Sequence, residues 1–348
     1  MVFLLLPLSW IYGLAIRLRN LLYDRGLLAA RSLGVTTISV GNITTGGTGK
    51  TPLVALVARI LADSGERVCI LTRGYGRRNE NERILVSDGA GLPVSADVGG
   101  DEPVELARRL GPKAIVIAQA DRAAAAEWAK AKFSPTVFVL DDGFQHRRVR
   151  RDLDIVCVDA TDPFGRGSML PAGRLREPVG SLRRAGAIVV TRADLVDDTD
   201  AVAADVRSRG RSAPIFNAGT RIAEMVPVEK FLNESSRKKP VHPDSIFAFC
   251  GLGNPEVFFE SLRRGAADAR LAGVKRFPDH HAYTQKDVDD LAGEAEWSGA
   301  EALVTTAKDA VKLDGLRLPA SMPLLVAIAE IELDDPRGFK DVVLSALS

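Results

Sequence analysis

The chain has 348 residues, 46% hydrophobic, 26% charged and 6% aromatic, a globular composition that excludes disorder throughout and, at roughly 150 residues per domain, suggests about two domains. The 46 Lys and Arg against 45 Asp and Glu leave a net charge of +1, which argues against a general nucleic-acid binder. Beyond the N-terminus no segment runs ~20 residues without a charge, which excludes a polytopic membrane protein.

Residues 1–16, MVFLLLPLSWIYGLAI, carry no charged side chain and precede Arg17, Arg19, Arg25 and Arg31. As a helix that stretch extends ~24 Å, short of the ~30 Å hydrocarbon core. It also lacks the basic start and small-residue cleavage site of a secretory signal. An interfacial helix within residues 1–30 fits better, with Trp10 and Tyr12 at headgroup depth and the arginines facing lipid phosphates. The plainer alternative is a helix packed on its own domain.

From Val35 to about Val226, apolar runs predict strands at 35–40, 67–72, 83–87, 114–119, 136–141, 153–159 and 187–191. Helical patterns separate several of them, such as PLVALVARILADSG, PVELARRL and DRAAAAEWAKAK. Continuous apolar strands alternating with helices predict an α/β fold, a mostly parallel sheet covered on both faces. Residues 229–243 have a polar, proline-bearing linker composition. A second, smaller α/β unit follows, with strands at 245–250, 302–306 and 324–331 and a closing helix. Cys69, Cys157 and Cys250 sit in apolar runs without metal-ligand spacing, as buried small hydrophobes in a reducing compartment do.

The strongest chemical signal is Gly41-Asn-Ile-Thr-Thr-Gly46-Gly47-Thr48-Gly49-Lys50-Thr51-Pro52, between a strand and a helix. Backbone N–H groups of such a loop cradle phosphate oxygens, here along Gly46, Gly47, Thr48 and Gly49. Lys50 reaches the β- and γ-phosphates and the Thr51 hydroxyl ligates Mg²⁺. The strict Walker pattern places glycine at 44, where Thr44 stands. The loop predicts a nucleoside triphosphate site. A partner acid should end a buried strand, and Asp141 or Asp142 supplies it as a ligand of Mg²⁺ or its waters.

Asp101-Glu102-Pro103 opens a helix, which is ordinary capping grammar. Phosphoryl transfer to an alcohol nevertheless needs a carboxylate to accept the hydroxyl proton. Basic residues gather on loops: Arg73, Arg77 and Arg78 around Tyr75, the run 146–151 after Gln145 and beginning at His146, and Arg174 with Arg176. Converging at one sheet edge, these residues would suit an anionic, phosphate-bearing substrate. Phe277-Pro-Asp279-His280-His281 reads alone as an exposed loop before a helix capped by Thr284. Val190-Thr-Arg192-Ala-Asp194 faintly echoes a guanine-reading motif, with arginine in place of its lysine.

Together these segments resemble the tetraacyldisaccharide 4'-kinase family. The resemblance rests on VGNITTGGTGKTP, LTRGYGR, GGDEP, LDDGFQHRRVRRDLDIV, PAGRLREP, GLGNP, FPDHHAYT and TTAKDAVKL in that order, across nearly the whole chain. It implies transfer of the ATP γ-phosphate to the 4'-hydroxyl of a tetraacylated glucosamine disaccharide 1-phosphate, with Mg²⁺, on the cytoplasmic face of the inner membrane. It implies Asp101 as catalytic base supported by His280, with His281 as the alternative, Lys50 and Thr51 on phosphates and metal, and Asp141 and Asp142 at the metal. The expected organisation is an interfacial helix (1–30), a P-loop NTPase-type kinase domain (31–228), a linker (229–243) and a smaller α/β domain (244–348), acting as a monomer. The competing class is a nucleotide-driven switch of the MinD/ParA or metallochaperone kind, whose extra loop lysine would stand at position 45, here Thr45. A membrane-tethered binding module without turnover would leave Asp101 and the Mg²⁺-suited acids without a task.

Overall fold

The computed structural model describes residues 2–348 except 76, 78, 92, 93, 211, 234, 235, 237–240 and 266–268, with backbone alone at 2–4 and 210. Arg78 and part of the expected linker therefore lie outside the described residues. Among them, twelve strands form one continuous sheet: β1 (Thr36–Asn42), β2 (Val68–Thr72), β3 (Ile84–Ser87), β4 (Ala114–Ala118), β5 (Val137–Asp141), β6 (Leu153–Asp159), β7 (Ala187–Thr191), β8 (Ile215–Pro227), β9 (Ser245–Cys250), β10 (Arg270–Arg276), β11 (Ala302–Thr306) and β12 (Leu324–Leu333). Their order is β10-β9-β11-β12-β8-β7-β6-β1-β5-β2-β4-β3. All neighbours are parallel except β3 with β4 and β8 with β12. The fold is thus the α/β class expected. In β1, β2, β4, β5 and β7 nearly every side chain is buried, as strands covered by helices on both faces require.

Two strands escaped the sequence reading. β8 carries polar residues between its apolar ones, and its burial is mixed. β10 is an edge strand whose residues are mostly half-buried. Neither has the continuous apolar run that marks a central strand. β8 pairs along its length with β12, with an irregularity between Ile328 and Ala329. This long antiparallel ribbon joins the two portions of the sheet.

Residues on both sides of the expected connection at 229–243 share one core cluster. Val228–Leu232 begins that stretch as a short helix with Val228 buried. The closing helix Pro336–Ser345 buries Phe339 and Val343 in the same core cluster as Ile38 and Leu53. The Phe339 ring meets Phe216 edge-on at 5.3 Å. The chain thus crosses back to the earlier core after its polar connection.

The N-terminal helix spans Val2–Asp24. Its inward face is polar. Ser9 Oγ accepts from the Ala172 amide (2.9 Å), Tyr12 donates to the Arg176 carbonyl (3.1 Å), and Asn20 donates to Glu177 (2.9 Å). Glu177 is fully buried and also receives Arg19 (2.8 Å) and Arg184 (3.0 Å). Removing one partner of such a buried cluster costs about 3–5 kcal/mol, so the helix is firmly docked. Arg19, expected to face lipid, instead turns inward to Glu177, and Arg31 pairs with Glu127. The buried carboxylate accounts for the inward turn of Arg19. The outward face carries Leu8, Ile11, Leu14, Leu18 and Leu21 at helical spacing, all exposed, beside Trp10 at 72% exposure. No helix among the described residues is long and apolar enough to cross a membrane.

Candidate active site

The site begins where β1, β5 and β2 end side by side. Val40 is in register with Asp141 and Leu71 with Leu140, so the phosphate-loop candidate and the paired acids leave the sheet as neighbours. Gly46 and Gly49 hold left-handed backbone (φ +104° and +76°) that side chains resist. Gly49 caps the helix Lys50–Asp63 without a side-chain bond. Its first N–H groups are thus left for a ligand, the usual anion-binding arrangement.

Neighbouring strands fasten the loop. Asn42 Nδ2 donates to Thr48 Oγ1 (3.0 Å), and the Thr191 hydroxyl donates to the Thr48 carbonyl (2.9 Å). Arg192 donates to the Gly47 carbonyl and pairs with Asp159. Arg174 donates to the Thr45 carbonyl (2.8 Å), and a Cβ at Gly46 would collide with its guanidinium. Asp194 meets Arg264. All three polar members of the faint guanine motif, Thr191, Arg192 and Asp194, are thus engaged by the protein itself.

Lys50 Nζ lies 3.8 Å from Asp142 Oδ1, and Arg176 grips both oxygens of Asp142 at 2.9 and 2.8 Å. Burial works to raise the Asp142 pKa, but the two cations outweigh it and hold the carboxyl below the usual range. Asp141 is buried and, among the described residues, has no cation so close. Burial, with the charges of Glu102 and Asp142, pushes its pKa up. Its Oδ2 accepts from the Thr72 hydroxyl at 3.0 Å.

Asp141, Asp142 and the half-buried Thr51 are hard oxygen donors. Among the described residues no cage of three or more His, Cys, Asp or Glu side chains forms. That donor set fits Mg²⁺, which takes one or two carboxylates and completes its shell with water and phosphate oxygens. The buried, cation-poor Asp141 is the carboxylate such an ion would relieve.

The raised pKa of Asp141 has a stability consequence. A carboxyl whose folded pKa exceeds its unfolded one favours folding while protonated, and destabilises as pH rises through the folded pKa. Asp141→Asn removes that charge and can keep an acceptor for Thr72. In nucleotide-free buffer near about pH 8 it should stabilise the fold by about 1 kcal/mol, read as a higher Tm, while losing catalysis. A lower Tm would mean the charge is already compensated.

Opposite these acids, Asp101 opens the helix Asp101–Leu110 and is 8% exposed. Its Oδ1 accepts from the Glu102 amide (2.8 Å), and its Oδ2 lies 2.8 Å from His280 Nδ1. Burial opposes the charged form, but the His280 bond and nearby Lys308 hold the Asp101 pKa below the ordinary value. His280 follows β10 and has φ +59°, uncommon for a side-chain residue and found at strained functional positions. His281 faces away, 3.3 Å from Asp287 and stacked on Phe277. The structure therefore pairs His280 with Asp101.

The expected substrate face is only partly available. Arg77 is buried and donates to the carbonyls of Arg73, Gly74, Glu80 and Glu82. It shapes its own loop instead of presenting a free cation, and Arg174 and Arg176 are likewise bound to Thr45 and Asp142. Arg73 is exposed and paired with Glu80 (2.8 Å). Tyr75 is 63% exposed, its ring 5.8 Å from that of His280. Gln145 donates to the Asn42 carbonyl (2.7 Å). Burial, with Arg122 and Arg151 nearby, lowers the His146 pKa to about 4, leaving it neutral. Sequence reading missed Arg122, buried against the carbonyls of Gln119, Ala120 and Asp141. It also missed Lys308 within TTAKDAVKL, which touches Asp279 and His280.

A fastened phosphate loop, Mg²⁺-suited acids and a histidine-held carboxylate define a P-loop phosphotransferase. The family model described as LpxK, tetraacyldisaccharide-1-P 4'-kinase, matches residues 1–348, and the chain belongs to that family. It is 41% identical over 342 residues to a tetraacyldisaccharide 4'-kinase of Geobacter metallireducens, covering 98% of this chain and 96% of that protein. One from Anaeromyxobacter dehalogenans is 40% identical, over 96% of this chain and 86% of its own. A crystal structure of Aquifex aeolicus LpxK in complex with ATP superposes with a TM-score of 0.77 at 31% identity, covering 100% of this chain and 99% of that one.

Proposed function

We propose that this chain transfers the γ-phosphate of ATP to the 4'-hydroxyl of a tetraacylated glucosamine disaccharide 1-phosphate. The observation that carries the reading is the Asp101–His280 pair beside the acid-bearing strand ends, because a nucleotide switch has no need of a base for an alcohol. Lys50 and the loop 46–49 hold the phosphates. Thr51, Asp141 and Asp142 would hold Mg²⁺, which when bound neutralises charge on the phosphate oxygens. Asp101 takes the hydroxyl proton, and exposed Arg73 and Tyr75 face the acceptor. Every group comes from one chain, so a monomer suffices. Incubation with γ-labelled ATP and the lipid acceptor tests the reading. Stoichiometric label on the lipid supports it, and acceptor-independent release of free phosphate overturns it.

The outward apolar face of the first helix supports attachment to the membrane surface, on the cytoplasmic side where ATP is present. A helix that docks by its polar face and exposes leucines is poorly suited to water and well suited to the acyl boundary. Replacing Ile11, Leu14 and Leu18 by serine should reduce vesicle binding by about tenfold or more, because their burial in lipid is lost. The inward contacts at Ser9, Tyr12 and Asn20 survive, so the fold should not change. Sedimentation with vesicles checks it, and unchanged binding would place attachment elsewhere.

A further inference from the structure

The strand order sends the two ends of a nucleotide in opposite directions. On one side of β1 stand β5 and β2, with Asp141 ending β5 and Asp142 just beyond it, 3.8 Å from Lys50. The γ-phosphate belongs on that side. On the other side stand β6 and β7, so the nucleoside end of a triphosphate held by the loop 46–49 extends toward the end of β7. There Thr191 and Arg192 donate to the carbonyls of Thr48 and Gly47 and clamp the strand end to the loop. Arg192 takes left-handed backbone (φ +58°), and the turn Ala193–Leu195 that follows carries Asp194 at this edge.

A carboxylate after such a strand is how the motif echoed by 190–194 reads guanine. Guanine offers two donors to it, N1–H and the N2 amino group, whereas adenine offers a bare N1 acceptor and an N6 amino group. In this chain that carboxylate is covered. Arg264, in the last turn of the helix Pro255–Gly265, donates to the Asp194 carbonyl and lies 3.4 Å from its Oδ2. Its Nε donates to Glu260 at 3.1 Å, which steadies the guanidinium. From below, Gly219 of β8 lets Asp194 sit close, since a Cβ there would come within 3.2 Å of Oδ1.

We propose that the Asp194–Arg264 pair sets the nucleobase preference of this site, favouring ATP over GTP by denying guanine a free carboxylate. The proposal rests on reading the loop 46–49 as the phosphate site. A guanine edge at the pair meets an acceptor already taken and a guanidinium that sets donor against donor. Adenine N1 brings a lone pair instead. Among the described residues the second terminal nitrogen of Arg264 makes no hydrogen bond, so it is a donor left for that lone pair. Polar sites discriminate in this way, by leaving the wrong ligand's groups unpaired. The motif's cation survives as Arg192, but as the clamp on Gly47 and the partner of Asp159.

The test uses the full chain with Arg264→Met, Arg264→Lys and the double variant Arg264→Met with Asp194→Ala. The Arg264 side chain is 46% exposed and Glu260 keeps Arg263 at 3.2 Å, so all three should melt near the native Tm. Titration calorimetry with Mg²⁺ and either ATP or GTP, without lipid acceptor, reads the two Kd values. The native chain should bind ATP more tightly. In Arg264→Met the ratio of the GTP Kd to the ATP Kd should fall about tenfold, chiefly through tighter GTP binding. Lysine keeps a cation on the carboxylate and should hold the native ratio. The double variant should return toward that ratio, because the bare carboxylate is gone. A native chain without preference, an unchanged ratio in Arg264→Met, or an equal fall in the double variant would overturn the proposal. The titrations need no turnover, so a chain that binds ATP yet leaves the lipid unlabelled loses the kinase reading and keeps the base preference. A chain that binds neither nucleotide loses both.

Discussion

Alanine in place of Lys50 is expected to lower kcat by about 10²–10³-fold while the chain stays folded. Lys50 is the first residue of the helix after the phosphate loop, with its ammonium 3.8 Å from Asp142. Its charge is shared with that carboxylate, which Arg176 also holds through two bonds. Asp142 therefore remains paired when Lys50 is truncated, and no buried charge is stranded. The loss is expected on the transferring phosphoryl group, whose oxygens would lose the Lys50 ammonium. Turnover with ATP and the lipid acceptor, beside a thermal melt, checks this. A folded variant that turns over near the native rate would remove the phosphate-loop assignment.

The parts of the site legible in the sequence were those whose chemistry is local. Strand, glycine turn and helix are contiguous from Thr36 to Asp63, and each glycine with unusual backbone lies inside the motif that needs it. Asp141 could be read as a strand end because the five residues of β5 are all buried. Parts made by tertiary contact were harder. A basic residue after a strand looks the same whether it faces substrate or closes its own loop, and Arg77 does the latter. Arg176 reads as a free cation, yet its partner is a carboxylate 34 positions away. Composition marked 229–243 as a connection but could not foresee that the final helix returns to the first core. Lys308 sits in a recognised motif, but its contact is with a histidine 28 positions earlier that itself bonds across 179 positions.

Asp101→Asn should lower kcat by about 10²–10⁴-fold, the range of a positioned general base, with ATP affinity little changed. The carboxylate has two jobs in the folded chain. One oxygen accepts the Glu102 amide and the other faces His280 Nδ1. An asparagine has one acceptor oxygen and one donor nitrogen. If its oxygen stays on the amide, its NH₂ can donate to His280 Nδ1 only when the imidazole carries its proton on the other ring nitrogen. If it turns over, the NH₂ faces the Glu102 N–H and that contact is lost, at about 1 kcal/mol of stability. His280→Ala should cost less than Asp101→Asn, because the carboxylate remains and only its orientation suffers. The double variant should be far better than the product of the two single defects, since a histidine that supports a base has nothing to support once the base is gone. Single-turnover measurements on the three variants read this directly. Fully multiplicative losses would mean that the two act independently. A large loss for His281→Ala with none for His280→Ala would contradict the 2.8 Å contact and return the role to its neighbour.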